Sequence, residues 1–230
     1  MKFYLEITLL PNPEVGVHFL WSKVFQQIHL GLVEMQDDQG RVPIGVSFPD
    51  YVLGGRSQLP ASHDTRTSLC IEKYSVLGCK LRLFAEHEST LGQFNASHWL
   101  ARLSDYVHCT SIRPVPEKLN GYATYQREQP KTSKERLARR YAKRHNMDFE
   151  TALHSTVDLT VKPPPDEVYK TQFRYCDMPQ KTVTTPFIRL QSLSGGQTFC
   201  LWIKKTAVVE PSGATFSRYG LSAVSTVPEF

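Results

Sequence analysis

Of the eight histidines in the chain, His29 has the placement best suited to chemistry. An apolar repeat at 100° per residue runs through Val17, Leu20, Trp21, Val24, Phe25, Ile28 and Leu32. His29 falls at its edge, about 40° beyond Phe25. There an imidazole can lose part of its hydration and still meet a ligand. A side chain that titrates near neutrality is the usual general base for taking a proton from a ribose 2′-hydroxyl. The same position also suits a histidine that merely closes the edge of a core, and spacing does not separate the two. Ser192 and Ser194 alternate onto one face beside Gly195-Gly196, and Tyr219 opens the string Tyr219-Gly220-Leu221-Ser222. By themselves these read as turn residues and a strand end.

A second feature concerns charge. Between Arg127 and His145 stand eight Lys or Arg and two acids, a local +6 in a chain whose whole formal net charge is +5. The rest of the protein is therefore close to neutral. On a helical wheel Arg136, Arg139, Arg140, Lys143 and Arg144 fill an arc of about 140°. Leu137, Ala138, Tyr141 and Ala142 lie opposite. Solvated helices usually mix signs to gain pairing between residues four apart, whereas like charges at that spacing repel. A polyanion on this face removes the repulsion, so the run reads as a nucleic-acid-binding helix. Arg127 and Gln129 are the residue types that read guanine and adenine edges by bidentate bonds. An arginine-rich helix fits the major groove of B-DNA, and the groove of an RNA hairpin near its ends and loop, so composition leaves DNA and RNA open.

The elements that must position these groups can be read from periodicity. Residues 2–9 alternate as a strand and end at the turn Pro11-Asn12-Pro13; residues 17–33 form the helix that carries His29. Residues 42–48 and 79–85 are strands, 97–106 a helix with Ser97 as N-cap, and 107–115 a further strand. Strand, helix, strand, strand, helix, strand is the order of a ferredoxin-like (βαββαβ) domain. The segment 114–131, with Pro114, Pro116, Gly121 and Pro130, reads as a linker. A capping signature over residues 132–135 opens the basic helix, about 133–146. Residues 186–203 make a hairpin about a tight Gly195-Gly196 turn. The stretches 51–78 and 155–185 read as insertions. The fold class expected is α+β: a ferredoxin-like domain over 1–115, then a C-terminal α+β domain over 116–230 with the arginine-rich helix and the hairpin.

Bulk properties exclude several classes. At 230 residues, 40% hydrophobic and 21% charged, the chain is an ordinary globular one that can bury a core. No stretch approaches the roughly 20 apolar residues of a membrane span. The first residues enter a strand pattern directly, without a signal-peptide h-region, so a cytoplasmic location is expected. The five cysteines are scattered, with no Cys-x-x-Cys pair, which fits neither a disulfide framework nor a zinc ribbon. They are expected to be reduced and mostly buried. No constellation of Asp, Glu, His and Cys suggests a metal, and no cofactor is expected.

Taken together, several strings resemble one family, the CRISPR-associated endoribonucleases of type I-F systems. They are YLEITLLPNPE near the start, the His29 helix, IGVSFPD at 44–50 and R-x-Q at 127–129. ERLARRYAKRH at 135–145, PFIRLQSLSGGQTF at 186–199 and the closing YGLS and VPEF continue the series in the family's order. The resemblance implies an enzyme that cuts precursor CRISPR RNA at the base of the repeat hairpin without a metal. It would leave a 2′,3′-cyclic phosphate and stay on the hairpin as part of a guide-RNA surveillance complex with other subunits. It implies that His29 is the base on the attacking 2′-hydroxyl, that Ser192 orients that ribose with Ser194 beside it, and that Tyr219 lies near the active site. Arg127 and Gln129 would read lower-stem bases. Arg136, Arg139, Arg140, Lys143, Arg144 and His145 belong to the phosphate-tracking helix, where Ala138 stands in place of a possible arginine. Phe199 would stack under the terminal base pair. Two other readings remain: a hairpin-binding subunit of the same complex without cleavage, and a DNA-binding protein using the arginine helix.

Overall fold

In β1 (Phe3–Leu9) every second side chain turns inward, with Leu5, Ile7 and Leu9 buried. This period of two lays one face on a core and leaves the other half-exposed. The computed structural model describes residues 1–54, 75–130, 133–161, 169–178, 183–192 and 195–230. After β1 the Asn12 side chain accepts from the backbone N–H groups of Glu14 and Val15, closing the expected turn. The chain then enters α1 (Val17–Glu34). The stripe Leu20, Trp21, Val24, Phe25, Ile28 and Leu32 is buried, as its periodicity requires, whereas Val17, expected on the same face, is exposed in the first turn of the helix. Both Trp21 and Phe25 pack on Phe48, with ring centroids 5.5 and 6.2 Å away.

The expected strand at 42–48 is two short ones, β2 (Arg41–Val42) and β3 (Gly45–Ser47). They are followed by β4 (Lys80–Ala85), β5 (Val107–Cys109) and β6 (Arg113–Pro114). The first sheet runs β3-β4-β1-β5, with β6 also pairing β1, and these pairings are antiparallel. A ferredoxin-like βαββαβ unit has this arrangement, the first and third strands side by side at the centre. The second helix of the unit differs from expectation. It is α2 (Glu88–Phe94) followed by α3 (Ala96–Trp99) and a short 3-10 turn (Ala101–Leu103). The cap is Asn95 and not Ser97. Asn95 sits in the left-handed region (φ 48°), where it breaks the helix, and its side chain accepts from the His98 N–H.

The segment expected as a linker holds β7 (Gly121–Glu128), an inner strand of the second sheet. That sheet runs β10-β11-β7-β13, where β10 is Phe187–Gln191, β11 Thr198–Val208 and β13 Val227–Glu229. Pro114, Pro116 and Pro130 flank the strand without interrupting it, and Gly121 (φ 133°) begins it. The turn-forming residues mark the ends of the strand and not its content. The β10–β11 hairpin is present, but its loop is wider than two residues: Ser192 N–H donates to Gln197 O and Gly196 N–H to Ser192 O. Residues 193 and 194 of this loop, and with them Ser194, lie outside the described residues, as does 55–74 of the first expected insertion.

By compactness the chain divides into Met1–Gln129 with Thr184–Phe230, and Pro130–Val183. This differs from a boundary at 115, because one apolar cluster includes Leu5, Phe25 and Leu83 together with Tyr125, Ile188, Leu201 and Val227. The Tyr125 hydroxyl lies 2.9 Å from Glu229 Oε1 and 3.1 Å from Phe48 O, two acceptors that share its single hydrogen, and this ties the second sheet into the core under α1. The smaller unit contains α4 (Lys134–His145), α5 (Phe149–His154), the antiparallel pair β8 (Thr156–Val161) and β9 (Tyr169–Arg174), and a 3-10 turn (Tyr175–Asp177). Part of the second expected insertion is thus a hairpin. The described cysteines Cys79, Cys109, Cys176 and Cys200 are free thiols. Cys79 is exposed and the others half-buried, so they are less buried than expected. Burial pushes the Cys109 thiol up to about 11.

Candidate active site

The His29 ring is half-buried on α1, and its Nδ1 lies 2.9 Å from the carbonyl oxygen of Arg218. A carbonyl only accepts, so Nδ1 carries the hydrogen, and the lone pair of the neutral imidazole sits on Nε2. The opposite face of the arrangement is Tyr219, whose ring stacks on the imidazole at 4.3 Å and 12°. Burial holds the His29 pKa below the ordinary 6.5; the hydrogen bond to Arg218 O opposes this, and the Arg218 charge adds to it. The ring is therefore neutral at neutral pH, fixed in one tautomer, and equipped to accept a proton at Nε2.

Both partners of His29 come from one turn after β12 (Phe216–Ser217). Tyr219 is in this turn and not at a strand end. Gly220 N–H donates to Ser217 O, and Val46 N–H donates to Gly220 O, which pins the turn to β3. Gly220 has φ 69°, and a Cβ there would lie 2.3 Å from Val46 Cγ2. Only glycine meets both demands.

Arg127 extends the stack. Its guanidinium lies 5.8 Å from the Tyr219 ring centroid and 5.5 Å from that of Phe199. His29, Tyr219, Arg127 and Phe199 thus form a continuous column drawn from α1, the 217–220 turn, β7 and β11. Sheet register makes this possible: Arg127 pairs with Ile203, and Phe199 lies four residues from Ile203 on β11, hence on the same face. Gln129 follows β7 and is exposed. Ser192 follows β10, where Gln191 N–H donates 3.4 Å to the side-chain oxygen of Gln26, one turn before His29 on α1. The Ser192 hydroxyl accepts from Gly195 N–H at 3.4 Å.

In the smaller unit, α4 begins at Ser133, whose hydroxyl accepts from Arg136 N–H and donates to Glu135. It ends at Asn146 in the left-handed region. Ala138 and Ala142 are buried, and Tyr141 packs on Tyr175 at 5.7 Å. Arg136, Arg139, Arg140, Lys143, Arg144 and His145 are exposed. The basic arc and the packed arc are those the wheel gives. Ala138 stands on the packed arc with no exposed surface, so a charged side chain there would be buried. Arg139 lies over the Phe149 ring at 5.3 Å, and His145 stacks on Tyr141 at 4.1 Å. Cations also stand in the last turn, where they suit the helix dipole.

Among the described residues no group of three or more His, Cys, Asp or Glu is placed to hold a metal ion, and no helix is long and apolar enough to cross a membrane. The family of CRISPR-associated proteins designated Cas_Csy4 matches residues 4–230. The chain belongs to the Cas_Csy4 family.

Two members illustrate the kinship. The CRISPR-associated endonuclease Cas6/Csy4 of Escherichia coli (strain UTI89 / UPEC) is 31% identical over 231 residues, all of both chains. The protein of the same description from Pseudomonas aeruginosa (strain UCBPP-PA14) is 32% identical, again over all of both. A solved structure described as an RAMP protein binding different RNA substrates aligns over 99% of each chain, with 9% identity and a TM-score of 0.32, too low to carry an argument. In this Cas_Csy4 protein the sequence reading missed Gln26, Arg218 and Gly220. The glycine after Tyr219 was the available signal. The Arg218 contribution is a backbone carbonyl, which no side-chain pattern can announce.

Proposed function

We propose that this protein is a metal-independent endoribonuclease that cleaves precursor CRISPR RNA at the base of the repeat hairpin and stays bound to the hairpin in a guide-RNA surveillance complex. The observation that carries the reading is the neutral, tautomerically fixed His29, with Nε2 as its proton-accepting atom, in the column that also contains Arg127 and Phe199. Nε2 takes the proton of the 2′-hydroxyl, the 2′-oxygen attacks the adjacent phosphorus, and the P–O5′ bond breaks. The departing O5′ takes a proton from solvent and the His29 imidazolium returns its own there, so the products are a 2′,3′-cyclic phosphate and a 5′-hydroxyl, and the P–O bond formed balances the one broken without an external nucleophile. Ser192 and Ser194 orient the attacking ribose. Phe199 gives the terminal base pair a stacking surface, Arg127 and Gln129 read lower-stem base edges, and the α4 cations follow phosphates. Membership of a family whose relatives are described as CRISPR-associated endonucleases supports the substrate class.

The test uses a repeat hairpin with hydrogen in place of the one attacking 2′-hydroxyl. Binding should persist and cleavage stop, while cleavage of the all-ribose hairpin continues in EDTA. Cleavage of the 2′-deoxy substrate, or inhibition by chelator that Mg²⁺ reverses, would exclude the mechanism.

A further inference from the structure

A cavity of about 720 Å³ lies between α1 and β10, beside the candidate centre and outside it. Its α1 wall includes Phe19, Ser22, Lys23 and Gln26; the β10 wall includes Phe187 and Arg189. The groove's inner end is fixed. Gln26 is one turn, or about 4.5 Å of helix axis, from His29. Its side-chain oxygen accepts from the backbone N–H of Gln191, the residue before Ser192. The groove therefore starts where the reacting groups stand and leads away along α1 toward its N-terminus.

Its chemistry is specific. Lys23 and Arg189 are exposed cations, and the lining contains no carboxylate. Phe19 is 56% exposed, which is unusual for so large an apolar side chain on a helix with a well-buried stripe, and Lys23 Nζ lies 5.1 Å from its ring centroid. Cations beside an exposed aromatic ring form the kind of surface that single-stranded nucleic acid uses, phosphates on one and bases on the other. β10 is moreover an edge strand, whose outer backbone groups are not used by the sheet.

We infer that the groove between α1 and β10 binds single-stranded RNA on the 3′ side of the scissile phosphate. This rests on the endoribonuclease reading. The leaving O5′ belongs to the first nucleotide of that strand, which must depart from beside His29, and the α1–β10 groove adjoins that point. Its charge suits this polyanion and not a basic or apolar partner.

The experiment uses hairpins blocked by a 2′-deoxy substitution at the attacking nucleotide, ending either one or six nucleotides beyond the scissile bond. Affinities are measured for wild type and for the double variant Lys23→Glu, Arg189→Ala at two salt concentrations. The longer tail should tighten wild-type binding about five- to tenfold, the scale of one stacked base with its phosphate contacts. The gain should weaken with salt and shrink below twofold in the variant. Both proteins should bind and cleave the all-ribose one-nucleotide-tail hairpin alike, which shows the variant folded and the centre intact. A wild type indifferent to tail length, a gain that survives in the variant, or a gain given only by a 5′ extension each overturns the inference; indifference would assign the groove to a protein partner. Failure of wild type to bind even the short-tailed hairpin overturns the groove and the endoribonuclease reading together.

Discussion

At the scale of single residues, the decisive feature is the charge state of His29. Its folded pKa lies below 6.5 because burial disfavours the imidazolium. Between that folded value and 6.5 the unfolded chain binds more protons than the folded one. The associated stability is thus present above 6.5 and lost as pH falls through the window beneath it. Two measurements follow. The free protein's His29 ring, followed by NMR, should titrate below 6.5, and the acid limb of kcat/KM should track that midpoint, since it reports groups of the free enzyme. His29→Ala should lower cleavage by about 10²–10⁴-fold, the usual general-base contribution, while hairpin affinity is nearly unchanged. Wild-type cleavage by this variant, or an acid limb above 6.5, would remove His29 from the role.

At the scale of elements, the cations of α4 and the side chains of β7 do different work under the proposed function. Arg139, Arg140 and Arg144 stand on one exposed arc of a helix whose other arc is packed. Phosphates are alike along a stem, so neutralising one of these should weaken binding to every hairpin and make the salt dependence shallower. Arg127 belongs to a strand end, in a column with Tyr219 and Phe199. One bidentate pair to a guanine edge discriminates by roughly 1–3 kcal/mol. Arg127→Ala should therefore weaken binding to the matched hairpin more than to one already mutated at the contacted pair. Titrations of both variants against both hairpins at two salt concentrations separate the roles; equal losses for Arg127→Ala would make it another phosphate contact.

At the scale of the larger compact unit, the core is closed by the last residue of the sequence. Phe230 packs edge-on to Tyr4 at 4.9 Å and Phe84 at 6.1 Å, and the Arg82 guanidinium lies 4.1 Å from its ring. Arg82 also donates from Nε to Glu6 at 2.7 Å and from Nη1 to Phe230 O at 2.8 Å. With its side chain 13% exposed, Arg82 ties β1, β4 and the chain end together at a largely desolvated site. Arg82→Ala leaves Glu6 with Lys80 at 3.7 Å as its remaining ion-pair partner. We expect a loss of about 3 kcal/mol in denaturant unfolding, the scale of breaking a buried pair. The cleavage rate of the protein that remains folded should be unchanged, because Arg82 is not part of the His29 column. An unchanged denaturation midpoint would refute this account.

Short-range patterns were legible in the sequence because each is set within a few residues. The stripe of α1 follows from helical spacing, the start of α4 from its capping residues, and the βαββαβ order from alternating runs. The placement of His29 at the edge of its stripe was legible for the same reason. Long-range facts were not. That 121–128 is an inner strand depends on β11 and β13, supplied by chain about 70 to 100 residues later. The stack of His29, Tyr219, Arg127 and Phe199 requires the Arg127–Ile203 register and a glycine turn pinned to Val46. A sequence can specify which residue types are available and how each element is phased. Which of them meet is decided by strand pairing and by the burial of a shared core, and the pKa of His29 is a property of that meeting.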